Sequence, residues 1–291
     1  MSTTPEIRNA HASRLLRGQP ASDGAGVRLT RVIGGPMLPD LDPFLLLDEF
    51  GTDKPEDYVA GFPDHPHRGF ETVTYMLDGR MRHKDNHGNE GVLVPGSVQW
   101  MTAGRGLVHS EMPEQEEGRM RGFQLWVNLP ARDKMTEPKY QEFAPEHIPQ
   151  TEPKPGVSVK VIAGEVDGAR GPISQPATDP VYLDIVLAPD AEWVHDLPEG
   201  HSAFAYVYEG GVTIGKGEDA REVPTQTLAV LGGGERLALK AGTGQAGMEQ
   251  TRLIVVAGRP LREPIARHGP FVMNTRQEIM QAFVDFQEGR F

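Results

Sequence analysis

The chain has 291 residues, a formal net charge of −12 at pH 7, 38% hydrophobic residues and no cysteine. The hydrophobic share predicts a globular fold, and the lack of cysteine excludes disulfides, thiolate metal sites and iron–sulfur clusters. A chain this acidic has no general attraction to phosphate backbones, so direct nucleic-acid binding is not expected. No apolar run reaches the roughly 18 residues of a membrane span and no signal peptide is visible, so we expect a cytoplasmic protein without a membrane anchor.

The first third of the chain predicts an extended arm followed by strands. Residues 1–25 are polar and contain Gly, Ala and Ser, which indicates an extended N-terminal arm. Residues 26–33 alternate apolar and polar side chains, as a half-buried strand does. Residues 43–50 form a short apolar run of buried-strand length. The abundance of Gly (34) and Pro (25) favours many turns between such strands.

A series of short strands separated by turns follows from Phe70 to Trp126. Asp78-Gly79 is a tight hairpin signal, and residues 80–85 would form the returning strand. Strands this short at such spacing predict an all-β antiparallel sandwich or barrel. We assign residues 26–135 to this first domain and the proline-rich residues 136–156 to a linker.

A second strand series begins at Val157, and we assign residues 157–291 to a second domain. Residues 74–79 resemble residues 205–210, and residues 92–96 resemble residues 229–233, which suggests duplication of one β-unit. The second half contains no His-x-His, so only the first half is expected to bind metal.

The end of the chain predicts an amphipathic helix docked on the protein body. Thr275 and Glu278 have the spacing of a capping box. An apolar stripe at helical spacing follows, formed by Ile279, Met280, Phe283 and Phe286 with Ala282.

Two pairs of potential metal ligands stand out: His65 with His67, and His109 with Glu111. Side chains two residues apart on a strand point to the same face, so facing strands would bring three imidazoles and one carboxylate together. Such a nitrogen-rich set suits Fe(II), Mn, Co, Ni, Cu or Zn rather than calcium or magnesium. Four protein ligands on an octahedral metal leave two positions open, which favours catalysis over structural bracing.

Glu71 shares the strand parity of His65 and His67 and is therefore a rival to Glu111 as fourth ligand. We favour Glu111 and expect Glu71 to hydrogen-bond a ligand histidine or to pair with Arg68. Four further side chains are candidates for the wall of an apolar pocket, although ordinary core packing is an equal alternative for each: Phe70, Met101, Phe123 and Trp126. His83 and His87, in a polar hairpin-like stretch, are expected to be exposed.

Residues 65–75, residues 99–104 and the His109-Ser110-Glu111 sequence resemble the signature of the pirin family, which belongs to the cupin superfamily. Residues 129–140 and 269–275 resemble that family's inter-domain and C-terminal segments. The resemblance implies a bicupin: two antiparallel jelly-roll barrels face to face, with a C-terminal helix and metal only in the first. It also implies Fe(II) bound by the two ligand pairs above.

The resemblance further implies an activity, because several pirins cleave flavonols such as quercetin with dioxygen and release carbon monoxide. On this hypothesis the substrates are a flavonol and O₂, and Glu111 is the general base that accepts the flavonol hydroxyl proton. The alternative is an iron-binding, redox-sensing protein that modulates a transcription factor or a metabolic enzyme through a protein partner.

Overall fold

The structure, a computed structural model, describes residues 8–242 and 250–291. These residues form 26 β-strands, one α-helix and four short 3-10 helices, which confirms the expected, nearly all-β class. The first thirteen strands are β1 (His11–Arg17), β2 (Gln19–Asp23), β3 (Val27–Ile33), β4 (Phe44–Thr52), β5 (Phe62–His67), β6 (Phe70–Asp78), β7 (Met81–Asp85), β8 (Glu90–Leu93), β9 (Val98–Thr102), β10 (Leu107–Pro113), β11 (Met120–Asn128), β12 (Lys139–Phe143) and β13 (Gln150–Lys154). The others are β14 (Val157–Ala163), β15 (Glu165–Val166), β16 (Ala169–Arg170), β17 (Val181–Leu187), β18 (Glu192–Asp196), β19 (Ser202–Glu209), β20 (Gly211–Ile214), β21 (Arg221–Pro224), β22 (Thr227–Gly232), β23 (Arg236–Ala241), β24 (Thr251–Gly258), β25 (Ala266–His268) and β26 (Phe271–Met273). Helix α1 spans Arg276–Gln287, and the 3-10 helices span Pro55–Asp57, Ala131–Asp133, Pro145–His147 and Gly217–Asp219.

The described residues form two compact units, and each unit draws on distant parts of the sequence. The N-unit comprises Gln19–His147 and Leu261–Phe291; the C-unit comprises Ile148–Pro260 and the N-terminal segment up to Gly18. The stretch expected to be an arm is therefore divided, because β1 pairs with β22 in the C-unit and β2 pairs with β3 in the N-unit. The C-terminal helix, expected in the second domain, belongs to the N-unit.

The N-unit contains a seven-stranded sheet of order β12-β9-β6-β11-β4-β3-β2 and a four-stranded sheet of order β5-β10-β7-β8. The predicted tight turn is present, since β6 ends at Asp78, β7 begins at Met81, and Gly79 has a left-handed φ of 82°. The predicted hairpin is wrong, because β6 and β7 belong to different sheets and pair with other strands. A side chain on Gly79 would collide with the backbone around Arg119, so glycine is required at this turn.

The C-unit repeats the same two sheets, with orders β1-β22-β19-β24-β17-β14-β13 and β18-β23-β20-β21. This equal order supports the predicted duplication. Residues 74–79 on β6 and 205–210 on β19 fall at corresponding positions of the two large sheets, as their sequence similarity suggests. The second suggested match does not hold, because residues 92–93 lie on β8, whereas residues 229–232 lie on β22, which corresponds to β9.

The stretch expected to be a linker, 136–156, contains two strands that close the edges of different sheets. Strand β12 pairs with β9 in the N-unit, and β13 pairs with β14 in the C-unit. The prolines do not prevent this pairing because both strands lie at sheet edges, where one side of the backbone needs no partner.

Helix α1 has the predicted capping box, in which Thr275 accepts from the Glu278 amide and Glu278 caps the Thr275 amide. Ile279 and Ala282 are buried and pack against Phe271, but Met280 is 65% exposed and does not belong to the buried stripe. Among the described residues, α1 and the 3-10 helices are all too short or too polar to cross a bilayer.

Candidate metal centre

Strands β5 and β10 of the N-unit bring the first three predicted ligands together. The two strands pair antiparallel, with His109 directly opposite His65 and Leu107 opposite His67. Because side chains alternate along each strand, His65, His67 and His109 extend from the same face of the sheet. Their rings are 4.4–5.0 Å apart from centroid to centroid.

The three imidazoles each offer a nitrogen to a shared point. These nitrogens all lie within 4.8 Å of one another. Two nitrogens bound to one ion are at most about 4 Å apart, so the spacing is close to what a shared metal ion needs. The Nδ1 atom of His65 lies 2.8 Å from the Pro63 carbonyl oxygen, and donation of its proton there leaves the Nε2 lone pair for a metal.

The buried nitrogens of this cluster lack partners of their own. Within the described residues, neither ring nitrogen of His67 or His109 makes a hydrogen bond. Burial lowers the pKa of His109 to about 4, with repulsion from His65 adding and attraction to Glu111 opposing. Burial and the two neighbouring imidazoles likewise hold the pKa of His67 well below its usual value, although the nearby Pro270 carbonyl opposes the shift. Both rings are thus neutral at pH 7, the form that binds metals, and the donor set fits a metal ion.

Glu111 is buried in the same region but is engaged differently. A β-bulge between His109 and Glu111 shifts the register of β10 against β5. The Glu111 carboxylate accepts hydrogen bonds from the Thr74 hydroxyl (2.9 Å) and from the Gln124 amide (2.8 Å). Among the described residues, the ligand atoms close enough to share one metal ion belong to the three histidines. No oxygen of Glu111 is in this group.

Glu71 lies fully buried on β6, where it accepts a hydrogen bond of 2.6 Å from the Thr102 hydroxyl. The expected bond from Glu71 to a ligand histidine stays a prediction. Arg68 forms an ion pair of 2.6 Å with Asp285 of helix α1 and donates to the Arg105 carbonyl. This pair ties α1 to the residue that follows His67.

A cavity of about 630 Å³ opens beside the histidine cluster, and His65 and His67 form part of its wall. Trp126 is the one predicted pocket residue among those that line it. Its ring lies 5.3 Å from the His67 ring and 4.4 Å from the Phe70 ring. Phe70 packs behind Trp126 in the core, while Met101 packs with Leu107 and Tyr140. Phe123 is fully buried.

Sequence reasoning missed the polar residues that line this cavity. Arg31 makes two hydrogen bonds to the Asp48 carboxylate, of 3.0 and 2.7 Å, while Arg267 lies 4.7 Å above the Trp126 ring. The Gln124 amide donates to Glu111 and its carbonyl accepts from the Trp126 indole at 3.4 Å. Alternation on β3 and β11 places these side chains on known faces, but only the tertiary structure brings those faces to one cavity.

His83 was expected to be exposed, and this was wrong, because it is only 4% exposed. It lies opposite Glu111 on the neighbouring strand β7, and its Nε2 atom is 2.8 Å from the Glu142 carboxylate. Asp85, on the same face of β7, lies opposite His109 and accepts a hydrogen bond from Tyr140. The signal that could have found them is the alternation of Met81, His83 and Asp85 with the solvated Arg82 and Lys84.

Comparison with known proteins decides the family. The family model described as pirin matches residues 26–127, and the model described as pirin C-terminal cupin domain matches residues 182–291. The chain belongs to the pirin family. Pirin from Homo sapiens is 46% identical over 270 residues, which cover 92% of this chain and 89% of human pirin. The expected bicupin with jelly-roll sheets is thereby confirmed.

Two further relatives of this pirin have names that state an activity. A Pseudomonas aeruginosa protein named "Putative quercetin 2,3-dioxygenase" is 54% identical over 276 residues, which cover 94% of each chain. A crystal structure of quercetin 2,3-dioxygenase from Acinetobacter baumannii has 34% identity and a TM-score of 0.87, and the match covers 98% of this chain and 99% of that one.

The C-unit of this pirin shows what replaces the ligands. In its four-stranded sheet β18 and β23 take the places of β5 and β10, and Trp193 lies opposite Leu239 where His65 lies opposite His109. Ala241 occupies the place of Glu111. These three side chains belong to one continuous apolar core. In the same register His195, opposite Leu237, takes the place of His67, opposite Leu107, so one histidine is kept while the other three positions are apolar.

Proposed function

We propose that the N-unit is a metal-dependent dioxygenase that cleaves flavonols such as quercetin with O₂ and releases carbon monoxide. The observation that carries the proposal is the group of three histidines beside a cavity walled by Trp126, in which His67 and His109 have buried ring nitrogens without hydrogen-bond partners among the described residues. The names of the Pseudomonas relative and of the Acinetobacter structure support the choice of substrate.

His65, His67 and His109 would hold the metal, with Glu111 as the proposed fourth ligand and Fe(II) as the proposed ion. Each Glu111 oxygen accepts one hydrogen bond and keeps a second lone pair, so coordination is compatible with its present partners. When bound, the metal would supply Lewis acidity toward a substrate hydroxyl and one-electron chemistry toward dioxygen. Mn, Co, Ni, Cu and Zn suit the same nitrogen-rich donors.

The side chains around the cavity orient a planar substrate. Trp126 offers a flat apolar wall, and its contact with the His67 ring means that a ring lying on that wall would reach the metal ligands. Phe50 and Phe62 add apolar surface to the same cavity, which excludes water from a bound aromatic molecule.

Glu111 is the proposed general base for the flavonol hydroxyl proton. Thr74 and Gln124 each donate a hydrogen bond to one Glu111 carboxylate oxygen, and Gln124 itself lines the cavity. The chain Trp126–Gln124–Glu111 thus links the substrate wall to the base. A positioned base of this kind contributes about 10²–10⁴-fold to a rate.

The test is to strip the protein with a chelator under nitrogen, reload separate samples with each candidate metal, and add quercetin and air. Loss of quercetin absorbance together with carbon monoxide in the headspace is the expected result for at least one metal. Metal-dependent loss of quercetin without carbon monoxide would refute the proposed ring cleavage. His87→Gln, at an exposed histidine, is the matched control because it removes an imidazole outside the cavity.

The second candidate is the iron-binding regulatory role, and relatives such as human pirin, whose name states no activity, favour keeping it. On this reading the bound metal changes the affinity of the acidic surface for a protein partner. Pull-downs with the metal-free, Fe(II) and Fe(III) forms would test it, and identical partner sets for all three would remove it.

A further inference from the structure

The C-unit contains a second cavity, of about 870 Å³, that the proposed reaction does not use. Trp193 and His195 of β18 contribute to its wall. Three lysines from separate segments also line it: Lys154 on β13, Lys216 after β20, and Lys240 on β23. The cavity thus combines an aromatic surface with several cations, in a chain whose net charge is −12.

Two of these lysines have no acidic partner of their own. Lys240 forms an ion pair of 2.8 Å with Glu192. Within residues 8–242 and 250–291, neither Lys154 nor Lys216 has a carboxylate at ion-pair distance. Both lie close enough to Glu192 to act on it: Lys240 has the largest effect in lowering the pKa of that carboxyl, and Lys154 and Lys216 add to it. Three ammonium groups and two carboxylates, those of Glu192 and Asp167, therefore line the cavity, which leaves an excess of one positive charge.

The aromatic wall is flat. The His195 ring stacks on the Trp193 ring at 5.1 Å, with an angle of 13° between their planes. Burial lowers the pKa of His195, with attraction to Asp196 opposing, so the imidazole is neutral at pH 7 and can both donate and accept a hydrogen bond. Val166 and Leu239 add apolar surface to the same cavity.

We propose that this cavity binds an aromatic carboxylate, with its ring on the partly exposed His195, which is backed by the buried Trp193 ring, and its carboxylate held by Lys154 and Lys216. A flat wall and apolar side chains favour a planar hydrophobic body. The two ammonium groups favour an anion at one end of that body. An inorganic anion would leave the aromatic wall without a partner, and a neutral arene would leave the lysines without one.

The proposal does not depend on metal binding, so it is tested on chelator-treated full-length protein. Isothermal titration calorimetry with 2-naphthoate as the probe measures the affinity, and 2-naphthamide serves as its neutral counterpart. We expect naphthoate to bind, and naphthamide to bind at least about tenfold more weakly, which corresponds to about 1.4 kcal/mol of binding free energy.

The deciding variant is the double substitution Lys154→Gln/Lys216→Gln, with Lys54→Gln/Lys84→Gln as the matched control. The control removes the same charge from exposed lysines of the N-unit. We expect the first pair to weaken naphthoate binding by about tenfold or more and the control pair to leave it within about twofold. Thermal unfolding of each variant checks that the fold is kept.

Three results would overturn the proposal. One is no detectable heat of binding at about millimolar naphthoate, the weak limit of a specific site. Another is equal affinity for naphthamide, which would remove the role of the lysines. The third is unchanged binding by Lys154→Gln/Lys216→Gln, which would place the ligand elsewhere, including the cavity beside His65.

Discussion

His109 lies directly opposite His65 across the β5–β10 pair, with ring centroids 4.4 Å apart. In the C-unit the corresponding pair is Leu239 opposite Trp193, and both side chains are buried in an apolar core. One strand pairing therefore serves two purposes in the same chain. In the N-unit it collects nitrogen ligands, and in the C-unit it packs hydrophobic side chains.

The first prediction follows from this correspondence. His109→Leu introduces the residue type that the C-unit carries at the same place and removes two buried nitrogens without partners among the described residues. We expect the fold to remain and the metal content of purified protein to fall at least about tenfold, since one of few ligands is lost. Elemental analysis measures the metal, and circular dichroism checks the fold. Full metal occupancy in His109→Leu, equal to that of His87→Gln, would contradict the site.

The second prediction separates two roles of Glu111. Glu111→Gln replaces the carboxylate that accepts a hydrogen bond from the Gln124 amide by an amide of nearly the same shape. The variant therefore removes the proposed base with little change in packing. We expect the three histidines to retain the metal and quercetin turnover to fall by about 10²–10⁴-fold. Steady-state kinetics on samples of known metal content measure this. If Glu111→Gln loses its metal as fully as His109→Leu does, the lost turnover reports lost coordination and not a lost base. The exposed control Glu116→Gln should change neither metal content nor turnover.

The third prediction concerns the ion pair between Arg68 and Asp285. Burial would raise the pKa of the Asp285 carboxyl, but hydrogen bonds from Arg68, Arg290 and Gln281 outweigh it and hold the pKa below its usual value. Asp285→Asn leaves the buried Arg68 charge unpaired, which should lower the free energy of unfolding by about 3 kcal/mol at pH 7. Urea denaturation measures the difference, and exposed Glu288→Gln is the control.

The same pair predicts a pH dependence. A carboxyl whose pKa is lower in the folded than in the unfolded chain stabilises the fold above the unfolded value, near 3.8, and this contribution is lost as the pH falls further. The gap in unfolding free energy between wild type and Asp285→Asn should therefore be widest at neutral pH and should narrow below pH ~4. A gap that widens on acidification would disprove the assignment of the pair.

The fourth prediction tests the place of the N-terminal strand. Ala12 on β1 is 0% exposed and belongs to the apolar core of the C-unit, while its neighbour Ser13 is exposed. Ala12→Asp would bury a charge with no partner and should destabilise the protein by about 3 kcal/mol or more. Ser13→Asp loses only the exposed hydrogen bond from the Ser13 hydroxyl to the Val230 carbonyl and should cost about 1 kcal/mol. Equal melting temperatures for the two variants would show that β1 does not pack in this core.

Local sequence patterns were sufficient to predict the elements that depend on interactions between neighbouring residues. The turn at Asp78-Gly79 was predicted because it needs a left-handed glycine, and the capping box of Thr275 and Glu278 because it closes within one helical turn. That the turn leads β7 into a different sheet from β6, and not into a hairpin, depends on tertiary packing. The side on which helix α1 is buried was only partly predicted. Met280 fits the apolar spacing but is 65% exposed, whereas Ile279, Ala282 and Phe283 pack in one cluster with Phe271.

The sequence alone determined the all-β class, the duplication and the convergence of three histidines, because alternation along a strand fixes which side chains share a face. Only the tertiary structure decided the rest: that β1 completes the C-unit while α1 belongs to the N-unit, that His83 is buried opposite Glu111, and that Arg31, Gln124 and Arg267 line the cavity. The physical reason is that these relationships depend on which edges and faces of distant strands meet. Sheet pairing joins residues hundreds of positions apart, and no local periodicity records its partner.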